Sequence, residues 1–169
     1  LKRKFENGFV SEIRPNYKNW FSAISACLVS GAIMFIDYGC SRGEYYSTDR
    51  STGTLVCHYQ NMAHYDPLFL PGLQDLSAWV DFSLVADVGL EHGFKVETYT
   101  SHRDFLLSSG ILELVDQISD QNKRFKTNQA VKQLLLPDQM GDTFKFMLLS
   151  KDCMIKESFT EARDFRYLL

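Results

Sequence analysis

A short apolar run near the start of the chain constrains the fold most. Ala32-Ile33-Met34-Phe35-Ile36 is apolar throughout, and Gly31 and Asp37 bound it. A continuous run, rather than an alternating one, is typical of a strand buried on both faces, as in a parallel sheet. The run therefore predicts a strand inside a layered sheet.

The rest of the chain alternates between helical and strand patterns. Apolar residues recur at helical spacing over residues 16–30, and Gly31 follows as a stop. Further helices are predicted over residues 80–92, most of 101–119, and 128–136, with a loose polar stretch at 120–126. Further strands are predicted at 94–100 and 143–149. This order indicates an α/β layered domain.

Composition narrows the class of protein. The 169 residues have the length of one domain, and 45% of them are hydrophobic, enough for a real core. A net charge of −3 argues against a nucleic-acid surface, and the basic cluster Lys2-Arg3-Lys4 is interpreted as a solvated end. No apolar run is long enough to cross a membrane.

The ends and the cysteines carry two further expectations. The chain opens at Leu1 without a Met or an apolar leader, which indicates a fragment of a longer protein. Cys27, Cys40, Cys57 and Cys153 form no C-x-x-C pair and have no metal-like spacing. They are therefore interpreted as reduced thiols in a reducing compartment.

The stretch from Gly53 to Phe82 fits neither a simple helix nor a simple strand, and it is predicted to be mostly irregular. Pro71-Gly72 predicts a turn, Asp75 is expected to satisfy backbone donors, and Ser77 or Asp81 is expected to cap the following helix. Long loops in compact domains are usually functional. The spacing of His58, His64 and Asp66 matches no zinc pattern, so no metal site is predicted.

Polar residues at the end of the first predicted strand form the candidate site. Ligands of open α/β sheets bind beyond the carboxyl ends of the strands, where Asp37-Tyr38-Gly39 stands. Asp37 either faces such a crevice or caps the following turn. Downstream, Glu44, Tyr45, Tyr46 and Arg50 combine carboxylate, aromatic and cationic groups. This combination suits a cationic guest, and it is equally common in ordinary loop packing.

These motifs identify a family. The chain resembles the C-terminal half of the MidA-like S-adenosylmethionine-dependent methyltransferases, which include a mitochondrial arginine methyltransferase that assists complex I assembly. It departs from the family at Ser77, Trp79 and Ser101-His102. The matching residues are Ile36-Asp37-Tyr38-Gly39, Glu44-Tyr45-Tyr46, Arg50, Gly53-Thr54-Leu55, Tyr59, His64, Asp66-Pro67, Pro71-Gly72, Asp75, Val80-Asp81-Phe82, Phe105-Leu106, Gly110, Met140-Gly141 and Phe144-Lys145.

The resemblance implies the fold and the domain. Residues 1–169 would be one partial domain, the C-terminal part of a Rossmann-like class I methyltransferase sheet. It would hold strands 5, 6 and 7 (residues 32–36, 94–100 and 143–149), with a long substrate-side loop and helical insertions. The third of these strands would lie between the other two, antiparallel to both. The strand at residues 32–36 would keep a bare edge, through which the chain is expected to self-associate.

The resemblance also implies ligands. No G-x-G-x-x-G-like turn is present, so S-adenosylmethionine would bind the full-length enzyme, and this chain alone weakly or not at all. The partner would be a protein substrate. Its arginine would be held by carboxylates, since a guanidinium suits their fork geometry. The residues expected on the substrate side are Asp37, Tyr38, Gly39, Glu44, Tyr45, Asp75 and Asp81.

Two functions stay open from the sequence. One is a protein methyltransferase, arginine-directed and linked to respiratory complex I assembly or to a bacterial counterpart. The other is a non-catalytic interaction module derived from the same fold. The family implies a cytoplasmic location for a bacterial protein and the mitochondrial matrix for a eukaryotic one. No catalytic residue is assigned.

Overall fold

The computed structural model describes residues 4–156 and 161–169. Lys2 and Arg3 of the basic cluster lie outside these residues. The helices are α1 (Tyr17–Cys27), α2 (Arg42–Tyr45), α3 (Phe82–Glu91), α4 (His102–Ser108), α5 (Ile111–Asp116) and α6 (Gln121–Leu135). The strands are β1 (Gly31–Cys40), β2 (Val56–Tyr59), β3 (Met62–His64), β4 (Asp75–Ser77), β5 (Val80–Asp81), β6 (Lys95–Ser101) and β7 (Phe144–Lys151).

The main sheet has the strand order β5-β1-β7-β6. Strand β7 is antiparallel to both β1 and β6, so the predicted placement of the last strand between the other two is confirmed. The pairing of β1 with β7 runs without interruption from Gly31 opposite Lys151 to Tyr38 opposite Phe144. Strand β5 is parallel to β1 but pairs with it only at Gly39 and Cys40.

Alternating residues of β7 supply the core on the two faces of this sheet. Met147 and Leu149 join a cluster on the side of α1 and α3, where Phe21 and Phe82 are fully buried. Phe146 and Leu148 point the other way, and there the ring of Phe105 from α4 stacks on Phe146 at 3.6 Å. The sheet is therefore covered by helices on both faces at β7, as expected of an α/β layered domain.

Strand β1 is not buried on both faces, so that prediction is wrong for this chain. Ile33 and Phe35 pack against the cluster of α1 and α3, whereas Met34 and Ile36 are 48% and 44% exposed. The reason is that α4, on their side of the sheet, packs on β6 and β7. Among residues 4–156 and 161–169, only β5 pairs with the outer edge of β1, at Gly39 and Cys40, in agreement with the bare edge that the resemblance implied.

Two helical predictions need correction. The stretch 101–119 is two helices, separated at Gly110, whose φ of +80° suits a residue without a side chain. The stretch 120–126 is not loose, because α6 already begins at Gln121 and Asp120 caps it by accepting the Lys123 amide at 2.8 Å. The polar composition of α6 hid this start, since Val131 is its one buried residue.

The segment between Gly53 and Phe82 is more ordered than predicted. Residues 54–79, which we term the lobe, contain a second sheet in the order β3-β2-β4. Gln60 and Asn61 join β2 to β3 with positive φ at both positions, the conformation of a two-residue hairpin turn. The predicted turn at Pro71-Gly72 is present, with the Leu73 amide donating to the Leu70 carbonyl at 3.0 Å.

None of the helices in the described part of the chain has the length and apolarity that a membrane crossing requires.

Candidate functional site

The carboxyl end of β1 is where the lobe joins the main sheet. Here Gly39 pairs with Val80, and a side chain on Gly39 would collide with the Val80 carbonyl and the Phe82 ring. Gly39 is thus needed for the close approach of β5, which returns the chain from the lobe. Its predicted place on the substrate side stays a prediction.

Asp81 stands at this junction and already has two structural contacts. Its Oδ1 accepts the Leu84 amide at 3.0 Å, which caps α3 as the sequence predicted. Its Oδ2 lies 3.5 Å from Arg42 Nε, and Arg42 also pairs with Asp87 at 2.8 Å. The buried Asp81 carboxylate therefore fixes the start of α3 against α2.

The mixture of charge and aromatic rings around Glu44 already holds a cation from the chain itself. Arg50 donates to Glu44 at 2.8 Å, and its guanidinium stands 4.0 Å from the centre of the Trp79 ring. The sequence left two interpretations open for these residues, a cationic guest or ordinary loop packing, and this contact within the chain is of the second kind. Glu44 itself is exposed, and its role toward a substrate stays a prediction.

Tyr45 is buried and donates its hydroxyl to Glu12 Oε2 at 2.7 Å. Glu12 also accepts the Thr54 hydroxyl at 2.9 Å, the Thr54 amide at 2.8 Å and the Leu55 amide at 2.9 Å. Burial alone raises the pKa of Glu12, but these hydrogen bonds outweigh it and hold that pKa below its ordinary value. Burial raises the pKa of Tyr45 to about 12, so its hydroxyl keeps the proton that it donates.

A second set of contacts ties the other end of the lobe to the same place. Arg14 donates to the Trp79 carbonyl at 2.8 Å and to the Tyr45 hydroxyl at 3.1 Å. The Trp79 amide donates to the Thr54 hydroxyl oxygen at 3.0 Å. Glu12, Arg14, Tyr45, Thr54 and Trp79, which we term the stem network, therefore hold both ends of the lobe together and against the segment before α1.

Sequence reasoning missed Glu12 and Arg14. Both stand in a short segment before α1, and their partners are 31 to 65 positions away along the chain. Gly53 offered one local signal, because its φ is +81° and a Cβ at this position would stand 2.5 Å from Glu12 Oε1, which leaves room only for glycine. The identity of that neighbour was not readable from the sequence.

Tyr38 faces the lobe across a cavity of about 220 Å³. The Tyr38 ring packs edge-on against Phe144, with 5.5 Å between ring centres. Asp75 is exposed at the edge of the lobe and accepts the Ser77 hydroxyl at 3.1 Å. The cavity is lined by Tyr38, Thr54, Val56, His58, Ser77 and Trp79.

Asp37 is not part of the lining of this cavity. It is exposed, its Oδ1 accepts the Tyr38 amide at 2.8 Å, and it borders a groove of about 560 Å³ between α1 and β1. Trp20 and Phe35 form part of the apolar wall of this groove. The structure thus brings Tyr38 to the cavity and places Asp75 next to it, hydrogen-bonded to the lining residue Ser77. Gly39 and Asp81 lie at the strand junction, and Asp37 lies on the groove.

The thiols and histidines form no metal centre in the described residues. All four cysteines are free thiols. His64 Nδ1 accepts the Asp66 amide at 3.2 Å, and no described group of three His, Cys, Asp or Glu side chains is placed to hold a metal ion.

The turn after β1 does not have the open form of a nucleotide-type cofactor site. Such a site needs a glycine turn between a strand and a helix, open enough for the ligand to approach the backbone. The turn after β1 is closed, because Gly39 is covered by β5 and the Arg42 amide donates to Ser83 Oγ at 2.9 Å. A cofactor of this type would therefore need backbone contacts that the turn after β1 does not offer.

The sheet order and the two covering helical layers define a Rossmann-like α/β fold, and comparison with known proteins identifies its family. The model of the S-adenosyl-L-methionine-dependent methyltransferase family Methyltransf_28 matches residues 1–100, more than half of the chain. The chain therefore belongs to this family, as its resemblance to the MidA-like methyltransferases indicated.

Individual proteins that resemble this chain support the same family. The chain is 31% identical, over 130 residues, to the bovine mitochondrial protein arginine methyltransferase NDUFAF7, and the match covers 72% of the chain and 26% of that protein. Two crystal structures of superfamily members from Burkholderia thailandensis have TM-scores of 0.89 and 35% identity over 97% of this chain. One of them is bound to S-adenosyl-homocysteine. The chain spans less than half the length of each of these relatives, 44% and 43% for the two structures.

Proposed function

We propose that this chain is the acceptor side of an S-adenosylmethionine-dependent protein arginine methyltransferase. The carrying observation is its TM-score of 0.89, over 97% of the chain, with a structure bound to S-adenosyl-homocysteine. The arginine preference rests on the similarity to the bovine enzyme. The remainder of the protein would hold the cofactor, since the turn after β1 is closed.

Methyl transfer mainly requires positioning and the exclusion of water, and we assign both roles to the lobe. The stem network holds the two ends of the lobe beside the carboxyl end of β1, where ligands of α/β sheets bind. We extend the proposal, on the family resemblance alone, to a role in assembly of respiratory complex I or of a bacterial counterpart. The protein would then act in the mitochondrial matrix of a eukaryote or in the cytoplasm of a bacterium.

A segment exchange tests the proposal. The matching segment of the Burkholderia protein is replaced by this chain, and the product is incubated with S-adenosylmethionine and a protein extract. We expect methylarginine in extract proteins by mass spectrometry. S-adenosylmethionine binding without methylarginine would contradict arginine transfer and favour the non-catalytic interaction module.

Isothermal titration tests whether the S-adenosylmethionine site lies outside this chain. The chain alone is expected to bind S-adenosylmethionine weakly or not at all. The exchanged protein, in which this chain replaces the matching segment of the Burkholderia protein, is expected to bind it measurably. Low-micromolar binding by the chain alone would place a cofactor site within these residues and overturn the assignment to the acceptor side.

A further inference from the structure

The two faces of the small sheet in the lobe have different surroundings. Side chains alternate along a strand, and residues directly opposite each other share a face. Val56 pairs with Ser77, and His58 pairs with Asp75, so these four residues share one face. Val56, His58 and Ser77 line the cavity of about 220 Å³, so this face is turned toward Tyr38.

The cavity lies where the fold places ligands. Tyr38 directly precedes Gly39, the residue at which β1 pairs with β5, and so it stands at the carboxyl end of β1. Thr54 and Trp79, which complete the wall, belong to the stem network. The wall is therefore held by hydrogen bonds that do not involve a ligand.

The size of the cavity limits its occupant. Sites for whole small molecules measure roughly 300–1,000 Å³, and this cavity of about 220 Å³ is smaller. It suits a single side chain of a larger partner. The lining includes the rings of Tyr38 and Trp79. The Arg50 guanidinium lies over the Trp79 ring, and it does not lie over the Tyr38 ring.

The polar groups around the cavity suit a guanidinium. Within the described chain, no residue hydrogen-bonds the Tyr38 hydroxyl or the His58 ring. Ser77 links the wall to the Asp75 carboxylate at 3.1 Å, which places a negative charge beside it. Residues 51–94 contain no lysine or arginine, and the preceding Arg50 is already paired with Glu44.

We propose that this cavity receives the arginine side chain of a protein substrate, with the guanidinium between the Tyr38 ring and the Asp75 carboxylate. Carboxylates bind a guanidinium through its fork of donors, and aromatic rings bind its face. The proposal deepens the proposed function, on which it rests, by naming the residues that recognise the acceptor.

Nuclear magnetic resonance tests binding without any methyl transfer. The ¹⁵N-labelled chain is titrated with acetyl-Gly-Arg-Gly-amide, and with its lysine and citrulline analogues. We expect saturable shifts of the Trp79 indole and of the His58 and Ser77 amides with the arginine peptide alone. Trp20, the other tryptophan of the chain, lies in the groove between α1 and β1 and is the internal control. Equal shifts with the lysine peptide, or none with arginine, would overturn the proposal.

Variants locate the site. Ser77→Phe fills the cavity and is expected to abolish the shifts, whereas Ser119→Phe, at an exposed position, leaves them unchanged. Asp75→Asn keeps the shape and removes the charge, and it should weaken peptide binding about tenfold, the loss of one charged hydrogen bond. Unchanged binding in Ser77→Phe and Asp75→Asn would overturn the site. Since no cofactor takes part, a failure of methyl transfer in the segment exchange would be a separate result.

Discussion

The main sheet and the lobe are stabilised by different kinds of contact. At β7 the sheet is packed on both faces, and five consecutive residues, 146–150, are buried. In the lobe, by contrast, Thr54 and Cys57 are the only buried residues. Its position depends on the stem network, whose Glu12 and Arg14 come from outside the lobe.

This difference separates stability from positioning. Burial of apolar surface is non-directional and sets most of the free energy of folding, whereas hydrogen bonds fix orientation at a smaller net gain. The sheet should therefore control whether the chain folds, and the stem network should control where the lobe stands. Four substitutions test this separation, in order of their expected effect on the free energy of unfolding.

The largest effect is expected from the core. Phe21 is fully buried, with the rings of Trp20 at 5.1 Å and Phe94 at 5.9 Å. Phe21→Ala should lower the free energy of unfolding by about 3–5 kcal/mol, through lost burial and the cavity left behind. Urea denaturation followed by circular dichroism measures it. Phe125→Ala, at an exposed site on α6, is the control, and an equal loss there would contradict the comparison.

The second largest change in the free energy of unfolding is expected from the stem network. Glu12→Gln removes the charge that four donors share, and it should lower the free energy of unfolding by about 1–3 kcal/mol. Hydrogen exchange should show faster exchange of the Leu55 amide, with little change at Leu149 in the sheet. Glu6→Gln, at an exposed position, is the control. Equal acceleration in lobe and sheet would show that the two regions are not separable.

The same residue predicts a pH dependence. The pKa of Glu12 is lower in the folded chain than its ordinary value of 4.5. A carboxyl group with a lowered pKa stabilises the fold above its unfolded pKa, and this contribution is lost as pH falls through the folded pKa. The protection factor of the Leu55 amide, which corrects for the pH dependence of intrinsic exchange, should therefore fall below about pH 4.5, and Glu12→Gln should remove that part of the response.

The sequence predicted the sheet better than the lobe, for a physical reason. Apolar runs are local signals, and they placed β6 and β7 within two residues of their bounds. Strand β1 was predicted too short, because its last residues, Asp37 to Cys40, pair with β7 and β5 without being an apolar run. The order of the strands came from the family resemblance rather than from the pattern.

The lobe and the site depend on contacts that no local pattern contains. The Gln60-Asn61 turn was a readable hairpin signal, since Asn tolerates positive φ, but the surrounding residues do not alternate in polarity. The cavity needs Tyr38 and Ser77 to meet from two different sheets. Sequence reasoning named Tyr38 and Asp75 as candidates, but their closeness to His58 and Ser77 required the fold.

The third substitution concerns the exposed face of β1. Ile36 is 44% exposed beside a bare strand edge, and exposed apolar edges template association with other chains. We expect the chain to self-associate in sedimentation over a concentration series, and Ile36→Lys to reduce this while changing the free energy of unfolding by less than about 1 kcal/mol. Leu112→Lys on α5, where Leu112 is 48% exposed, is the control. A compact wild-type monomer at high concentration would contradict the expectation.

The smallest effect on stability is expected from Asp37→Asn, because the Asp37 side chain is exposed and its one described hydrogen bond, from the Tyr38 amide, is also available to an asparagine oxygen. The free energy of unfolding should change by less than about 0.5 kcal/mol.

Methyl transfer by the exchanged protein should nevertheless fall about tenfold if the Asp37 carboxylate faces a substrate, which is the effect of losing one charged hydrogen bond. Asp49→Asn, also exposed, is the matched control. Both quantities are measured on one preparation, so that activity is counted per folded molecule. A loss of stability with unchanged activity would assign Asp37 to the fold, and would leave the cavity at Tyr38 as the acceptor site without it.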